Sequence, residues 1–174
     1  MLEQLCKFFV VFFVVVEPIS LIPLYAGLTE GATASYQRHM AGKATAIALG
    51  ICVVFALAGA KFLDLMGISL SSFRISGGTL LFLIALEMVF AHPSRTRSTS
   101  PEREEALKRD DISVFPLAFP FIAGPGALAT ILLTAGETSA EPALFAGFLV
   151  VVAAVLVICW LLMLAAPRLM KVLG

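Results

Sequence analysis

The chain has 174 residues, of which 60% are hydrophobic and 14% are charged. A soluble domain is about half apolar and about a quarter charged, so this composition excludes an ordinary soluble globular fold. The 12 basic residues balance the 12 acidic ones, which removes the charge excess expected of a nucleic-acid-binding surface. The three cysteines have no CxxC spacing and no neighbouring histidine cluster, so neither a metal nor another cofactor is expected.

Five apolar segments approach the roughly 20 residues that a helix needs to cross a membrane. No linker between them is long enough to separate domains, so we expect a single all-α, polytopic membrane domain. A polar stretch rich in Arg, Glu, Ser and Pro, 91–111, is predicted to be a solvated cytoplasmic loop. The predicted spans are Leu5–Leu28, Gly42–Ala60, Ser69–Phe90, Ile112–Ala135 and Ala143–Ala166.

Two prolines interrupt the first predicted span. Pro18 and Pro23 each lack a backbone donor and clash with the preceding turn, so a straight helix is not expected there. Backbone freed in this way is tolerated in a membrane where it is buried in protein or lines a wet cavity. The sequence therefore predicts a broken helix, with the usual donors lost at the carbonyls of Phe13, Val14 and Ile19.

Glu17 lies beside this break, near the middle of the membrane. Intramembrane carboxylates are costly and are candidates for binding protons or cations. Ser20 is the polar side chain that remains within the break. The alternative is a proline kink in which Glu17 reaches toward the interface or pairs with Arg74.

The third predicted span begins near Arg74, which is followed by Gly77 and Gly78. The two glycines would allow another helix to approach closely. Arg74 has three interpretations: an anchor at the interface, a partner of Glu17, or a contact for the carboxylate of a solute. The sequence does not choose among them.

The fourth predicted span contains a second break. Pro116 and Pro120 precede Gly124-Pro125-Gly126, and Thr130 follows. Glycines on both sides of a proline let the backbone leave helical geometry. Gly124, Pro125, Gly126 and Thr130 are therefore candidates for contact with a solute, and close helix packing on small residues is the alternative.

Lysine and arginine are distributed unevenly over the two sides of the five spans, and the side with more of them is expected to be cytoplasmic. This places the N-terminus outside and the end of this chain in the cytoplasm. The cytoplasmic side has nine basic residues: Arg38, Lys43, Arg95, Arg97, Arg103, Lys108, Arg109, Arg168 and Lys171. The outer side has three: Lys7, Lys61 and Arg74.

The two breaks share an order of features. Each has an apolar lead-in, a proline-centred interruption and a short apolar stretch that ends in Leu28-Thr29 in one copy and Leu133-Thr134 in the other. If each repeat has three spans, the copies have opposite orientations, which is the plan of many secondary transporters. The second repeat would then be incomplete, with the counterpart of the third span falling beyond Gly174.

Three stretches carry a resemblance to a known family, the MarC family of inner-membrane proteins, which is also described as neutral amino acid transporters. They keep the family's order and cover nearly the whole chain. They are Glu17-Pro18-Ile19-Ser20-Leu21-Ile22-Pro23-Leu24-Tyr25, Arg74-Ile75-Ser76-Gly77-Gly78 with Leu80 to Glu87, and Phe115-Pro116-Leu117-Ala118-Phe119-Pro120 through Gly124-Pro125-Gly126 to Thr130.

The chain departs from the family pattern at the first break. The family usually has Asp-Pro-x-Gly-Asn-x-Pro, whereas here Glu17 replaces the aspartate and Ile19-Ser20-Leu21 replaces the Gly-Asn pair. If that asparagine contacts substrate or ion in relatives, this protein differs from them in specificity or is inactive. The family typically has six spans, and this chain supplies five.

The resemblance implies a secondary transporter of small neutral amino acids in the inner (plasma) membrane. Glu17 would bind or relay a proton or cation, with Pro18, Ser20 and Pro23 at one break and Gly124 to Gly126 at the other exposing backbone to the solute. The expected partners are the bilayer, the solute and the proton or cation, and a homo-oligomer is compatible with the sequence. The alternative is a non-transporting scaffold or regulatory protein. No catalytic motif lies within a span, so an enzyme is not expected.

Overall fold

A computed structural model describes residues 1–90 and 111–173, and the regular secondary structure in those ranges is helical. Of the predicted cytoplasmic loop 91–111, all but Asp111 lies outside the described residues. One irregular segment, Ser113–Ile122, contains both Pro116 and Pro120 and is here named the proline segment. The helices are α1 (Leu2–Val16), α2 (Leu21–Leu28), α3 (Ala34–Leu65), α4 (Leu70–Val89), α5 (Pro125–Thr138) and α6 (Pro142–Leu173).

Three stretches of these helices are long and apolar enough to cross a membrane: Leu2–Leu28, Ala34–Leu65 and Pro142–Met170. The proline segment and α5 are bent by 59° where they meet, and they give a fourth such stretch when the pair is counted as one span. These findings confirm an all-α polytopic membrane protein whose first and fourth spans are broken. The 20 residues of α4 occupy the predicted third span, and its crossing of the membrane remains a prediction, as does the inverted repeat.

Helix α3 is longer than its predicted span because both of its ends are capped outside the apolar stretch. At its start, the hydroxyl oxygen of Thr33 accepts a hydrogen bond from the N–H of Tyr36 at 3.3 Å. At its end, Gly67 has a φ of 69° and donates its N–H to the carbonyl of Asp64 at 3.0 Å. A left-handed glycine just past the last turn is a common helix stop.

The relative directions of three helices follow from a few contacts. A Cβ added at Gly147 would lie 2.8 Å from Cδ1 of Leu5, and the rings of Phe8 and Phe148 are 4.7 Å apart. Helix α2 continues along α6 after α1, so the first span runs parallel to α6. Because the three residues 139–141 join α5 to α6, α5 runs antiparallel to both.

A face of small side chains lets α3 pack closely against α6, the proline segment and α5. Small residues bring helix backbones together, which contributes much of the packing energy within a bilayer. At Gly59 the fit is tightest, because an added Cβ would lie 2.0 Å from Cδ2 of Leu132. The other buried members of this face are Ala41, Ala44, Ala48, Cys52 and Ala56.

Candidate functional site

The first break is one tight turn between α1 and α2. Glu17 has φ 51° and ψ 60°, a left-handed conformation that costs a residue with a Cβ about 1–2 kcal/mol. Its N–H donates to the carbonyl of Phe13 at 3.0 Å, and its own carbonyl accepts from the N–H of Ser20 at 3.1 Å. Pro18, between them, is buried. The chain thus reverses its twist at Glu17 and resumes a helix at Leu21.

More of the backbone carbonyls at this break accept a hydrogen bond from a nearby N–H than the positions of the prolines predict. The expected loss of the usual donor is wrong for Phe13, which accepts from the N–H of Glu17 four residues later. Ile19 does lose its usual donor at Pro23, and it accepts instead from the N–H of Ile22 at 3.1 Å. Pro23 lies in the first turn of α2, where a missing donor costs little because those donors have no intrahelical partner. Pro23 therefore helps to begin α2 and does not break it.

The carboxylate of Glu17 stays near the turn. The hydroxyl of Ser20 donates to Oε2 of Glu17 at 3.2 Å, and the Glu17 side chain is half-buried whereas Ser20 is exposed. A carboxylate inside a span that accepts a hydrogen bond from a neighbouring hydroxyl can take up a proton or contact a small cation. The structure thus places Glu17, Pro18 and Ser20 in one turn, and their role as a binding site stays a prediction.

The second break is longer and has no ionisable side chain between Ser113 and Gly124. Phe115 and Phe119 adopt extended φ/ψ values, and the peptide bonds that follow them, to Pro116 and Pro120, are cis. Hydrogen bonds from Leu117 N–H to Ile112 and from Ala123 N–H to Ala118 bridge the extended residues at 3.2 and 2.8 Å. The segment is largely buried and packs against α3, which agrees with the rule that irregular backbone in a membrane is covered by protein.

The break ends at Gly124, where the backbone lies close to the carbonyl oxygen of Pro120. A Cβ at this position would lie 2.4 Å from the carbonyl oxygen of Pro120, a separation that real Cβ atoms essentially never show. Pro125 then occupies the start of α5, where its fixed φ favours the helix. The predicted need for glycine at position 124 is explained by the chain's own carbonyl and not by a second helix.

Two further candidates lie in the first turns of α5. The hydroxyl of Thr130 donates to the carbonyl of Gly126 at 2.9 Å, and both residues are buried. The Thr130 hydroxyl keeps its oxygen lone pairs available to accept a second hydrogen bond.

The two breaks lie at about the same depth in the bundle. Of the residues that line one cavity, Val11 of α1 and Thr130 of α5 are those nearest to the breaks along their helices. Glu17 is six residues beyond Val11, and Gly124 is six residues before Thr130. Since α1 and α5 are antiparallel and rise 1.5 Å per residue, both breaks lie about 9 Å further along, in the same direction.

Arg74 lies away from both breaks. Its Nη2 is 2.9 Å from Oε1 of Glu137, and both side chains are about half exposed. Glu137 is twelve residues after Pro125, or about 18 Å along α5. The structure pairs Arg74 with Glu137, a partner that the sequence did not identify, and its role as an interfacial anchor or as a contact for a solute stays a prediction. We call this end of the bundle, with Lys7 and Glu137, the Arg74 end.

An ion pair at the opposite end was also missed. Nζ of Lys43, on α3, is 2.5 Å from Oδ2 of Asp111, and Oδ1 of Asp111 accepts from the hydroxyl and the N–H of Ser113 at 2.6 and 2.9 Å. The Lys43 ammonium and these two donors hold the pKa of the Asp111 carboxyl well below its usual range. Asp111 thus fixes the start of the second break to α3. We call this the Lys43 end.

Within residues 1–90 and 111–173, no three His, Cys, Asp or Glu side chains are grouped closely enough to hold a metal ion. What the described part of the chain does contain is a pair of helix breaks at one depth, one carrying a carboxylate and one formed from backbone and apolar side chains. The fold and the site therefore define a polytopic helical membrane protein with two interrupted spans.

The comparisons identify the family. The model of the MarC family, described as integral membrane proteins, matches residues 2–174, and the chain belongs to this family. It is 35% identical over 172 residues to the UPF0056 membrane protein YhcE of Escherichia coli (strain K12), covering 96% of this chain and 77% of that protein. It is 34% identical over 155 residues to the UPF0056 membrane protein YvbG of Bacillus subtilis (strain 168), covering 88% of this chain and 72% of that one. No solved structure matches the chain.

Proposed function

We propose that this MarC family protein is a secondary transporter of small neutral amino acids or similar small solutes. The observation that carries the proposal is the pair of breaks at about the same depth, in two antiparallel spans. Interrupted helices near the middle of the membrane are where many secondary transporters bind their solutes. The left-handed backbone at Glu17 is a strained conformation of the kind that clusters at ligand-binding sites.

The chemistry at the two breaks suits a zwitterion. Helix α5 begins at Pro125, and the positive end of its dipole favours the carboxylate of a solute. Glu17, at the same depth, attracts an ammonium group and can exchange a proton. Protonation of Glu17 would remove that attraction, which couples release of the solute to uptake of a proton.

The test is uptake of labelled alanine and serine into proteoliposomes across an imposed pH gradient. We expect Glu17→Gln to lose the gradient-dependent part of uptake by about tenfold or more, the size of a typical coupling between two ligands. Glu3→Gln is the matched control, because Glu3 is an exposed carboxylate at the start of the same helix and pairs with Lys7. Because loss of Glu3 also frees Lys7, a second control is Glu30→Gln, an exposed carboxylate just after α2, and uptake by Glu30→Gln should equal that of the wild type.

Two outcomes would contradict the proposal. Wild-type protein that takes up neither amino acid under any gradient would favour the scaffold or regulatory alternative. Gradient-driven uptake that survives in Glu17→Gln would leave transport in place but remove Glu17 from the coupling role.

We also propose that the protein lies in the plasma membrane with the Arg74 end outside and the Lys43 end in the cytoplasm. The support is the bias of lysine and arginine, nine residues against three. A membrane-impermeant amine reagent applied to intact cells should then modify Lys7, at the Arg74 end. Modification of Lys7 solely after the cells are opened would reverse the orientation.

A further inference from the structure

A cavity of about 260 Å³ opens at the Arg74 end, between α1, α5 and the start of α6. A water molecule takes up about 30 Å³ of liquid, so this space corresponds to about nine waters. The cavity therefore has room for a small molecule. Its deepest described members are Val11 and Thr130, about 9 Å from the level of the two breaks.

The wall formed by α5 presents hydrogen-bond acceptors. Thr130, Thr134 and Thr138 follow one another at intervals of four residues and all line the cavity. The hydroxyls of Thr130 and Thr138 donate to the carbonyls four residues earlier, at 2.9 and 2.8 Å, so their oxygens remain as acceptors. The carboxylate of Glu137 adds a negative charge at the mouth. An ammonium group is the natural ligand of this wall.

The wall formed by α1 has the opposite character. Gln4 and Lys7 line the cavity and supply an amide N–H₂ and an ammonium group. In the described part of the chain, Lys7 pairs with Glu3 at 2.6 Å and Glu137 pairs with Arg74, so the two walls keep separate charges with the cavity mouth between them. A carboxylate is the natural ligand of this wall.

Apolar side chains form the rest of the lining. Leu5 and Phe8 of α1 and Leu144 and Phe148 of α6 face the same space. Phe8 and Phe148 pack edge to face with ring centroids 4.7 Å apart, which gives this side a fixed shape. A short aliphatic group would lie here without leaving a buried polar atom unpaired.

We infer that this cavity is an entry site for a small zwitterion with an aliphatic side chain, bound with its ammonium toward α5 and its carboxylate toward α1. The inference rests on the proposed transport function and names a second site for the same solute, about 9 Å before the breaks. From this site the solute would pass along the threonines of α5 toward Gly126. It would also reverse its orientation, because at the breaks its carboxylate faces the start of α5 and its ammonium faces Glu17.

The test is the modification of a cysteine in the cavity by a membrane-impermeant cationic thiol reagent. The background is Cys6→Ser, because Cys6 is exposed whereas Cys52 and Cys159 are buried. In Thr134→Cys, alanine at ten times its Kd should slow modification about tenfold by occupying the site. Propionate and propylamine, which each carry one of the two charged groups, should protect far less. In Val150→Cys, on the exposed apolar face of α6, we expect little modification and no protection.

The inference is overturned if Thr134→Cys is not modified, or if alanine, propionate and propylamine slow its modification equally. A second variant, Thr134→Phe, fills the cavity and should lower uptake of alanine at least tenfold, with an unchanged elution volume on size exclusion showing that it folds. Normal uptake in Thr134→Phe rejects the cavity as an entry site while transport stands. Protection by alanine without any uptake in wild type rejects transport while the binding site stands.

Discussion

The first break takes four residues, Glu17 to Ser20, and leaves α1 and α2 within one 27-residue span, whereas the second takes the whole proline segment and turns the chain by 59°. The first depends on a single left-handed residue with an ionisable side chain. The second depends on two extended phenylalanines and on glycine contact with a carbonyl, without any ionisable group between Ser113 and Gly124. The ionisable side chain thus comes from the first span, and the second span contributes irregular backbone without a charged group.

The largest expected effect tests the claim that the second break depends on backbone contact. Gly124→Ala places a Cβ against the Pro120 carbonyl and should lower the free energy of unfolding by about 2–3 kcal/mol. Gly27→Ala, in α2 after the first break, meets nothing within 4 Å and should be neutral or stabilising by up to about 1 kcal/mol. Denaturant unfolding of the purified protein in detergent measures both. Equal stabilities for the two variants would show that the contact at Gly124 is relaxed at no cost.

A smaller effect tests the claim that the first break depends on one left-handed residue. Glu17→Gly and Glu17→Ala both remove the carboxylate, but glycine tolerates a φ of 51° and alanine does not. The glycine variant should be the more stable by about 1 kcal/mol. At Val14, inside α1, the order should reverse, because alanine is the better helix former there. Unfolding all four variants in the same denaturant and detergent measures these differences. If Glu17→Ala is as stable as Glu17→Gly, the backbone at position 17 is not strained.

The smallest effect concerns the anchor of the second break. Asp111→Asn loses the partially exposed pair with Lys43 and should cost about 0.5–1 kcal/mol at neutral pH. Because the pKa of Asp111 is lowered in the folded protein, its stabilisation is fully present above the unfolded carboxyl pKa of about 3.9 and fades as pH falls below that value. The stability difference between wild type and Asp111→Asn should therefore stay constant from pH 8 to about pH 5 and shrink below pH 4. A difference that already declines near pH 6 would contradict this assignment.

Proline positions were sufficient to locate both breaks, because a missing N–H and a fixed φ act within one or two turns of their own position. They were not sufficient to give the form of each break. At the first, Phe13 keeps its usual donor, Ile19 finds a replacement donor within the turn, and Pro23 lies in the first turn of α2. Which carbonyls find new donors depends on the φ and ψ of Glu17, and the sequence does not encode a positive φ for glutamate in any recognisable way.

Contacts between segments that are distant in the sequence could not be predicted, for a different reason. Arg74 pairs with Glu137 across 63 positions, and Lys43 pairs with Asp111 across 68. Such pairs depend on which helices are neighbours and on their relative directions, neither of which hydropathy reports. The threonines of α5 could have been found, since their spacing of four residues places them on one helix face. Recognising that they face a cavity required the position of α1.

The two long helices give the molecule its mechanical character. Helix α6 packs along both pieces of the first span, and α3 packs along both the proline segment and α5. Each interrupted span is therefore supported by one long helix of 32 residues. The two long helices also contact each other, and a Cβ added at Gly42 of α3 would lie 3.9 Å from Nε1 of Trp160 on α6. A force that bends one interrupted span is therefore shared with the long helix beside it, and through the contact between the two long helices it reaches the other interrupted span.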